Sequence, residues 1–157
     1  MTTLNTSIDQ TNTSLYEADF YAWTQRQVEL LRLEEFSEVD WHHLIEEIET
    51  LGRSEKHEIK NRLVLLIMHL LKWQYQSTRR PRSWRMTIAT QRVDLADLLA
   101  DNPSLRMQLA EFVAAAYPSA VKKAVIETGL SKTVFPVACP YTAAQIMNEE
   151  FWPDSTA

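Results

Sequence analysis

The 157 residues are 45% apolar and 24% charged, with a formal net charge of −5, which is typical of a soluble globular domain. Glycine occurs only at Gly52 and Gly129, where average usage would give about 11. This scarcity disfavours a β-sheet protein, and it excludes the P-loop, the dinucleotide-binding GxGxxG motif and the GxSxG nucleophile elbow, because none of these can be built from two isolated glycines.

The chain begins with a polar segment followed by a helical pattern. Residues 1–13 are rich in Thr, Asn and Ser and have little to bury, so we expect a flexible tail. Ser14 and Glu17 have capping-box spacing, and large apolar residues follow at helical intervals. The pattern predicts a first helix over residues 15–33.

A second helix is predicted to begin after Asp40, a favourable N-cap residue. Its predicted buried stripe consists of Leu44, Ile45, Ile48 and Leu51. Gly52 then opens a stretch of seven residues, GRSEKHE, without a large apolar side chain. Either the helix ends at Gly52 and Ser54 caps the next one, or one long helix bends there; we favour the break.

The third predicted helix has a nearly continuous apolar face. Its apolar residues recur at the spacing of one buried helix side: Ile59, Leu63, Leu66, Ile67, Leu70 and Leu71. Because Val64, Leu65 and Met68 add apolar groups on other sides, we expect this helix to lie at the centre of the fold.

Prolines and capping residues divide the rest of the chain. Pro81 ends the third helical region, and Ser83 is a candidate cap for a fourth helix. Asn102 is the predicted N-cap of a fifth helix, which Pro118 should interrupt. A short sixth helix is predicted to end at Gly129. The predicted core face of the fourth helix consists of Trp84, Ile88, Leu95, Leu98 and Leu99.

An extended C-terminal strap is predicted after Gly129. The segment FPVACPY has two prolines and should be extended, and Thr142 and Gln145 have capping-box spacing before a short last helix. Trp152, near the end, suggests that the strap docks on the protein. The prediction is therefore all-α: residues 14–153 form a single-domain bundle of five or six helices with an extended C-terminal strap.

Several segments together carry a family resemblance. DFYAWTQRQVELLR, LIEEIETLGRSEKHEI, HLLKWQYQ, RSWRMTIATQR, FPVACPYTAAQI and FWP occur in this order, between about Tyr16 and Pro153. In these segments the chain resembles the bacterial family known as domain of unknown function 29, or DUF29. The resemblance implies an all-helical fold, and it implies no activity, cofactor or catalytic residue.

Charge is segregated along the chain. Residues 1–58 carry a net charge of −9, residues 59–93 contain no acid and carry +8, and residues 94–157 carry −4. The candidate site residues are the five arginines of segment 79–92: Arg79, Arg80, Arg82, Arg85 and Arg92. We favour internal pairing of the basic segment with the acidic first and second helices. The alternatives are binding to nucleic acid or another polyanion, and binding to an acidic protein surface.

Other candidate chemistry has a structural interpretation that we favour. His43, Glu46 and Glu47 could share a helix face, but the spacing lacks the Glu-x-x-His signature of di-iron bundles. His69, inside an apolar run, is expected to be buried and hydrogen-bonded, and His57 to be exposed. Cys139 is expected to be a packed thiol without a catalytic role. We therefore predict no metal, no cofactor and no catalytic residue.

The sequence leaves function open among three hypotheses. We favour a non-catalytic cytoplasmic protein that acts by binding another macromolecule, a protein first of all. The alternatives are a nucleic-acid-binding module that uses segment 79–92, and an enzyme with a site assembled across helices. The N-terminus lacks a signal-peptide pattern, there is one cysteine, and the longest apolar run, residues 63–71, is too short to span a bilayer.

Overall fold

The computed structural model describes residues 15–155, and these residues form helices and connecting segments without a β-strand. The all-α prediction is confirmed. Among the described helices, none is both long and apolar enough to cross a membrane. Contacts within the chain define two compact units that divide after Ser54. The single-domain organisation of residues 14–153 stays a prediction. The predicted tail over residues 1–13 and the capping residue Ser14 lie outside the described residues.

The N-terminal unit is a short helical arrangement. Residues 15–18 are helical, α1 spans Phe20–Arg32, a 3₁₀ turn spans Phe36–Glu38, and α2 begins at Trp41. The predicted first helix over 15–33 is thus interrupted at Asp19. The reason is local, because the Asp19 side chain caps α1 by accepting a hydrogen bond from the amide of Ala22 at 3.0 Å.

The second and third predicted helices are one helix, α2, which spans Trp41–Tyr75. The predicted break at Gly52 is therefore wrong, and Ser54 is not a cap. Only Gly129 among the described glycines has a positive φ, so Gly52 does not adopt the left-handed conformation that ends helices. A glycine inside a helix costs only about 1 kcal/mol, which the continuous hydrogen bonding on both sides can offset.

The core of the C-terminal unit surrounds the second half of α2. From Ile59 to Trp73 this helix is buried on most sides, as expected of a central helix. Around it lie α3 (Arg82–Asp101), the short α4 (Pro103–Arg106) and α5 (Leu109–Thr128). His69 is buried and its Nδ1 lies 2.9 Å from the carbonyl oxygen of Leu65, which confirms its predicted structural setting.

Two predicted helix boundaries in this unit are wrong. α3 begins at Arg82 with Pro81 at its N-cap, so Ser83 lies inside the first turn and does not cap the helix. α5 continues through Pro118 to Thr128. The proline removes one backbone hydrogen bond, but the buried face of α5 compensates for it through Ala116, Tyr117, Ala120, Val121 and Ala124. Gly129 is the predicted left-handed C-cap. Asn102 stands at the N-cap position of α4, but its side chain makes no cap hydrogen bond there, and the predicted fifth helix is divided into α4 and α5.

The C-terminal strap docks on the unit, as predicted. After a 3₁₀ turn over Lys132–Val134, an irregular segment leads to α6 (Ala143–Met147). Thr142 and Gln145 form the predicted capping box. The ring of Trp152 lies 4.7 Å from that of Trp73, and Phe135 is buried. Packing of these large rings removes apolar surface from water and so holds the strap.

Candidate functional site

The five candidate arginines have unlike surroundings. Arg92 is 2% exposed and does not form a surface site. Its guanidinium donates hydrogen bonds to the carbonyl oxygens of Ile146 and Phe151, each at 2.8 Å, and of Glu149 at 3.4 Å. Burial lowers the pKa of this guanidinium, partly offset by the nearby Glu149 carboxylate. Arg92 therefore links α3 to the strap.

Arg80 and Arg85 lie on tryptophan faces. The Arg80 guanidinium is 4.7 Å from the centre of the Trp73 ring, and its nitrogens donate to the Trp73 carbonyl oxygen at 2.9 Å and to Ser155 Oγ at 2.7 Å. The Arg85 guanidinium is 5.7 Å from the Trp73 ring and 5.4 Å from that of Trp152. Because Trp73 is buried between these partners, its ring cannot stack on the bases of a nucleic acid.

Arg79 and Arg82 are exposed, and within residues 55–155 their side chains form neither a hydrogen bond nor an ion pair. No ion pair of Arg80, Arg85 or Arg92 occurs within that range either. The pairing of these arginines with the acidic first and second helices stays a prediction, as does polyanion binding.

Other bases of the 59–93 segment do pair inside the C-terminal unit. Arg62 bridges Glu58 at 2.7 Å and Asp94 at 2.6 Å. Lys72, which is buried, pairs with Glu127, and its ammonium group lies 4.4 Å from the centre of the Trp84 ring. Part of the positive block is thus neutralised by acids on α2, α3 and α5.

The side chains that were considered as metal ligands or as a reactive thiol have structural partners. His43 Nδ1 lies 2.8 Å from Asp40 Oδ2, and Glu47 accepts a hydrogen bond from Tyr16. Within residues 15–155, no three His, Cys, Asp or Glu side chains are grouped so as to hold a metal ion. His57 is exposed, as predicted. Cys139 is partly buried with its Sγ 3.4 Å from the Tyr141 carbonyl oxygen, and burial raises the pKa of its thiol.

A polar network joins α1 to the start of α2 inside the N-terminal unit. The Asp40 carboxylate accepts hydrogen bonds from Trp23 Nε1 at 3.1 Å and from the amide of His43 at 3.4 Å, as its predicted N-cap role requires. Gln27 accepts a hydrogen bond from the Asp40 amide at 2.8 Å. The ring of Tyr16 stacks on His43 at 4.0 Å. The side of α2 that packs against α1 is therefore the side that carries Asp40 and His43.

The apolar stripe of the same helix is exposed to water. The predicted buried residues Ile45, Ile48 and Leu51 are exposed, and Leu44 is only partly buried, so this prediction is wrong. Phe36 is also exposed, and its main-chain carbonyl oxygen accepts a hydrogen bond from Trp41 Nε1 at 2.9 Å, which holds its backbone next to the Trp41 side chain. We call the exposed stripe the N-terminal apolar face; its members are 48 to 68% exposed and are Phe36, Trp41, Ile45, Ile48 and Leu51.

The unit that carries this face is strongly acidic. Residues 15–54 contain ten acidic and three basic residues, a net charge of −7. On α2 the exposed Glu46 and Glu49 both lie on one side of the stripe, with Glu49 next to it, and exposed Glu34 and Glu35 precede its first member in sequence. Arg53 neutralises only part of this charge, at 3.8 Å from Glu49. The face is thus apolar along its middle and negative along one edge.

The apolar stripe is visible in the sequence, but we predicted it to be part of the core. A signal for the opposite orientation was present, because His43 lies on the other side of the helix from Ile45 and Ile48, and the rings of Tyr16 and Trp23 lie against it. A helix can bury only one side in so small a unit. Here hydrogen bonds and ring stacking decide which side it is.

Comparison with known proteins identifies a family and nothing more specific. Residues 15–152 match the family model described as "Domain of unknown function DUF29". Neither a search of curated proteins nor one of solved structures finds a significant match.

Proposed function

The chain belongs to the DUF29 family, a domain of unknown function, and we propose that it is a non-catalytic protein that binds a partner protein through the N-terminal apolar face. The observation that supports this most is the orientation of α2, whose polar side packs on α1 while its apolar stripe is left in water. An exposed apolar patch rimmed by polar residues is typical of interaction sites. A cytoplasmic location is part of the proposal, with which a single free cysteine is compatible.

The spacing of the face fits recognition of a helix. Trp41, Ile45 and Ile48 lie at i, i+4 and i+7, which is how an amphipathic helix presents its anchor residues. Covering a half-exposed aliphatic or aromatic side chain contributes about 1 kcal/mol. Trp41 is the natural anchor, since tryptophan dominates the energy of many interfaces.

The charge of the unit selects the kind of partner. A second copy would bring one unit of net charge −7 against another, and like charges across an interface oppose association. A helix with leucine-like residues on one side and lysine or arginine beside them would instead meet the acidic edge at Glu49 and Glu46. We propose that the partner supplies such a basic amphipathic helix.

Titration calorimetry with designed peptides tests this proposal. The probes are a synthetic amphipathic helix of leucine and lysine and its leucine–glutamate counterpart. The double variant Ile45→Ser/Ile48→Ser keeps every charge, and its melting temperature should stay near that of the parent because both side chains are exposed. We expect it to bind the lysine peptide about tenfold or more weakly, since apolar contacts worth roughly 1–2 kcal/mol are lost.

Ile126→Ser is the matched control, because Ile126 is an exposed isoleucine of the C-terminal unit, and it should bind like the parent. Equal binding of the glutamate peptide, or an undiminished affinity of the double variant, would contradict the proposal. Self-association of the parent that is lost in the double variant would make a second copy the occupant and would also contradict it.

A second candidate function is binding to a polyanion, and the exposed, unpaired guanidiniums of Arg79 and Arg82 favour it. Within residues 55–155 they have no acidic partner, and the first turn of α3 contains no acid. Arginine forks match phosphate geometry. If this candidate is correct, single-stranded DNA binds with an affinity that falls as salt rises, and Arg79→Gln/Arg82→Gln removes that binding. Binding that is insensitive to salt or to these substitutions argues against it.

A further inference from the structure

A groove in the C-terminal unit runs between α5 and the strap. Its first part has a volume of about 490 Å³, within the range of small-molecule sites. The walls are mostly apolar and include Tyr117, Val121, Phe135 and Val137. Two side-chain hydroxyls line this part, and both have partners: Tyr117 donates to the Pro136 carbonyl oxygen at 2.6 Å, and Thr133 Oγ1 lies 2.9 Å from Ser131 Oγ. The groove therefore offers an apolar environment with few groups that can hydrogen-bond a ligand.

Two lysines line this part of the groove, Lys122 on α5 and Lys132 on the 3₁₀ turn. Both are exposed, and no ion pair of either occurs within residues 55–155. Glu127, further along α5, is already paired with Lys72. The two ammonium groups are thus available to a negatively charged ligand.

The groove continues into a second cavity of about 570 Å³, which shares Tyr117, Pro118 and Val137 with the first. This second part contains no lysine or other charged residue in its lining, and its walls include Val113 and Cys139. Along α5 the two cavities extend from Ala110 to Lys122, about 18 Å at the rise of an α-helix. One end of the groove is therefore cationic and the other apolar.

We propose that this groove binds a small amphipathic anion, an alkyl chain that ends in a carboxylate. The carboxylate lies between Lys122 and Lys132, and the chain follows α5 past Pro118 toward Cys139. Burial of the chain supplies most of the free energy at about 0.8 kcal/mol per methylene group. The lysines select the charge of the head group and fix the direction of the chain.

Three probes with the same dodecyl chain separate these contributions: dodecanoate, dodecanol and dodecylammonium. We expect calorimetry below the micelle concentration to show one site for dodecanoate and at least tenfold weaker binding of the other two. The double variant Lys122→Gln/Lys132→Gln should lose about tenfold in dodecanoate affinity, since two exposed ion pairs contribute up to about 1 kcal/mol each. Lys123→Gln is the matched control, because Lys123 is exposed on α5 but does not line the groove, and it should bind like the parent.

The reactivity of the Cys139 thiol tests the direction in which the alkyl chain lies in the groove. Saturating dodecanoate should slow alkylation of Cys139 by iodoacetamide severalfold in the parent and in Lys123→Gln. The proposal is overturned if dodecylammonium binds as well as dodecanoate, if the two-lysine variant binds like the parent, or if Cys139 reacts at the same rate with and without dodecanoate. None of these results bears on the N-terminal apolar face, which lies in the other unit.

Discussion

Arg92 holds the strap through main-chain carbonyl groups. Its place in the sequence, beside four other arginines, suggests surface charge, yet it lies at i+4 from Ile88 and three residues before Leu95 on the core face of α3. A buried guanidinium requires several acceptors, and the strap supplies them as carbonyl oxygens at 2.8 to 3.4 Å. The helical spacing of Arg92 from Ile88 and Leu95 indicates that its side chain is buried. The sequence does not identify its hydrogen-bond acceptors, because they depend on how the strap folds.

Substitution of Arg92 should therefore act on stability. We expect Arg92→Met to lower the free energy of unfolding by about 2–4 kcal/mol, because three carbonyl groups lose their donor. Arg85→Met removes an exposed guanidinium that lies over two tryptophan rings and forms no ion pair within residues 55–155, so it should cost less than about 1 kcal/mol. Urea denaturation of both variants measures the difference. Equal losses would show that Arg92 does not carry the strap.

At the scale of elements, the sequence predicts the helices well where packing and local signals agree. The central helix around Leu66, the capping box at Thr142 and the left-handed cap at Gly129 are examples. The errors at Gly52 and Pro118 have a common cause. Both residues weaken a helix by a few kcal/mol at most, and tertiary packing on either side of them can exceed that cost.

Gly52 offers a direct test of the continuous α2. A methyl group at this position would meet no atom within 4 Å, and the backbone there is not left-handed. We expect Gly52→Ala to raise the free energy of unfolding by about 0.5–1 kcal/mol, because alanine favours the helix and restricts the unfolded chain. Thermal unfolding followed by circular dichroism measures this change.

Gly129→Ala is the control for that substitution. It also places a methyl group in open space, but at a φ of 70°, so it should lower stability by about 1 kcal/mol or more. A loss of stability in Gly52→Ala comparable to that in Gly129→Ala would mean that α2 needs a break at this position.

At the scale of the whole molecule, composition and charge can be read directly from the sequence. The direction in which the apolar side of each amphipathic helix points cannot. The stripe at Ile45 and Ile48 has the pattern of a core, and only the network around Asp40 and His43 reveals that the core lies on the other side. The same limit applies to the groove, since Lys122 and Val137 are far apart in sequence and become neighbours only when the strap docks on α5.

The positive and negative charge blocks of the sequence are neutralised to different extents. Some bases of the positive block are neutralised by acids of the C-terminal unit, as at Arg62 and Lys72. Residues 15–54, which carry the exposed apolar face, have a net charge of −7. Such a combination favours a basic partner, which would satisfy charge and bury the apolar face in one interface.

Photo-crosslinking at Ile48 in cells of the native host tests the proposed role most directly. A photoreactive phenylalanine analogue replaces Ile48 in one variant and Ile126 in the other, and crosslinked peptides are sequenced by mass spectrometry. We expect position 48, and not position 126, to form an adduct with one protein, within a segment that has an apolar helical stripe flanked by lysine or arginine; Trp41→Ser should remove that adduct. Adducts of equal yield from both positions, or an adduct at position 48 with an acidic segment or with the chain itself, would contradict the account.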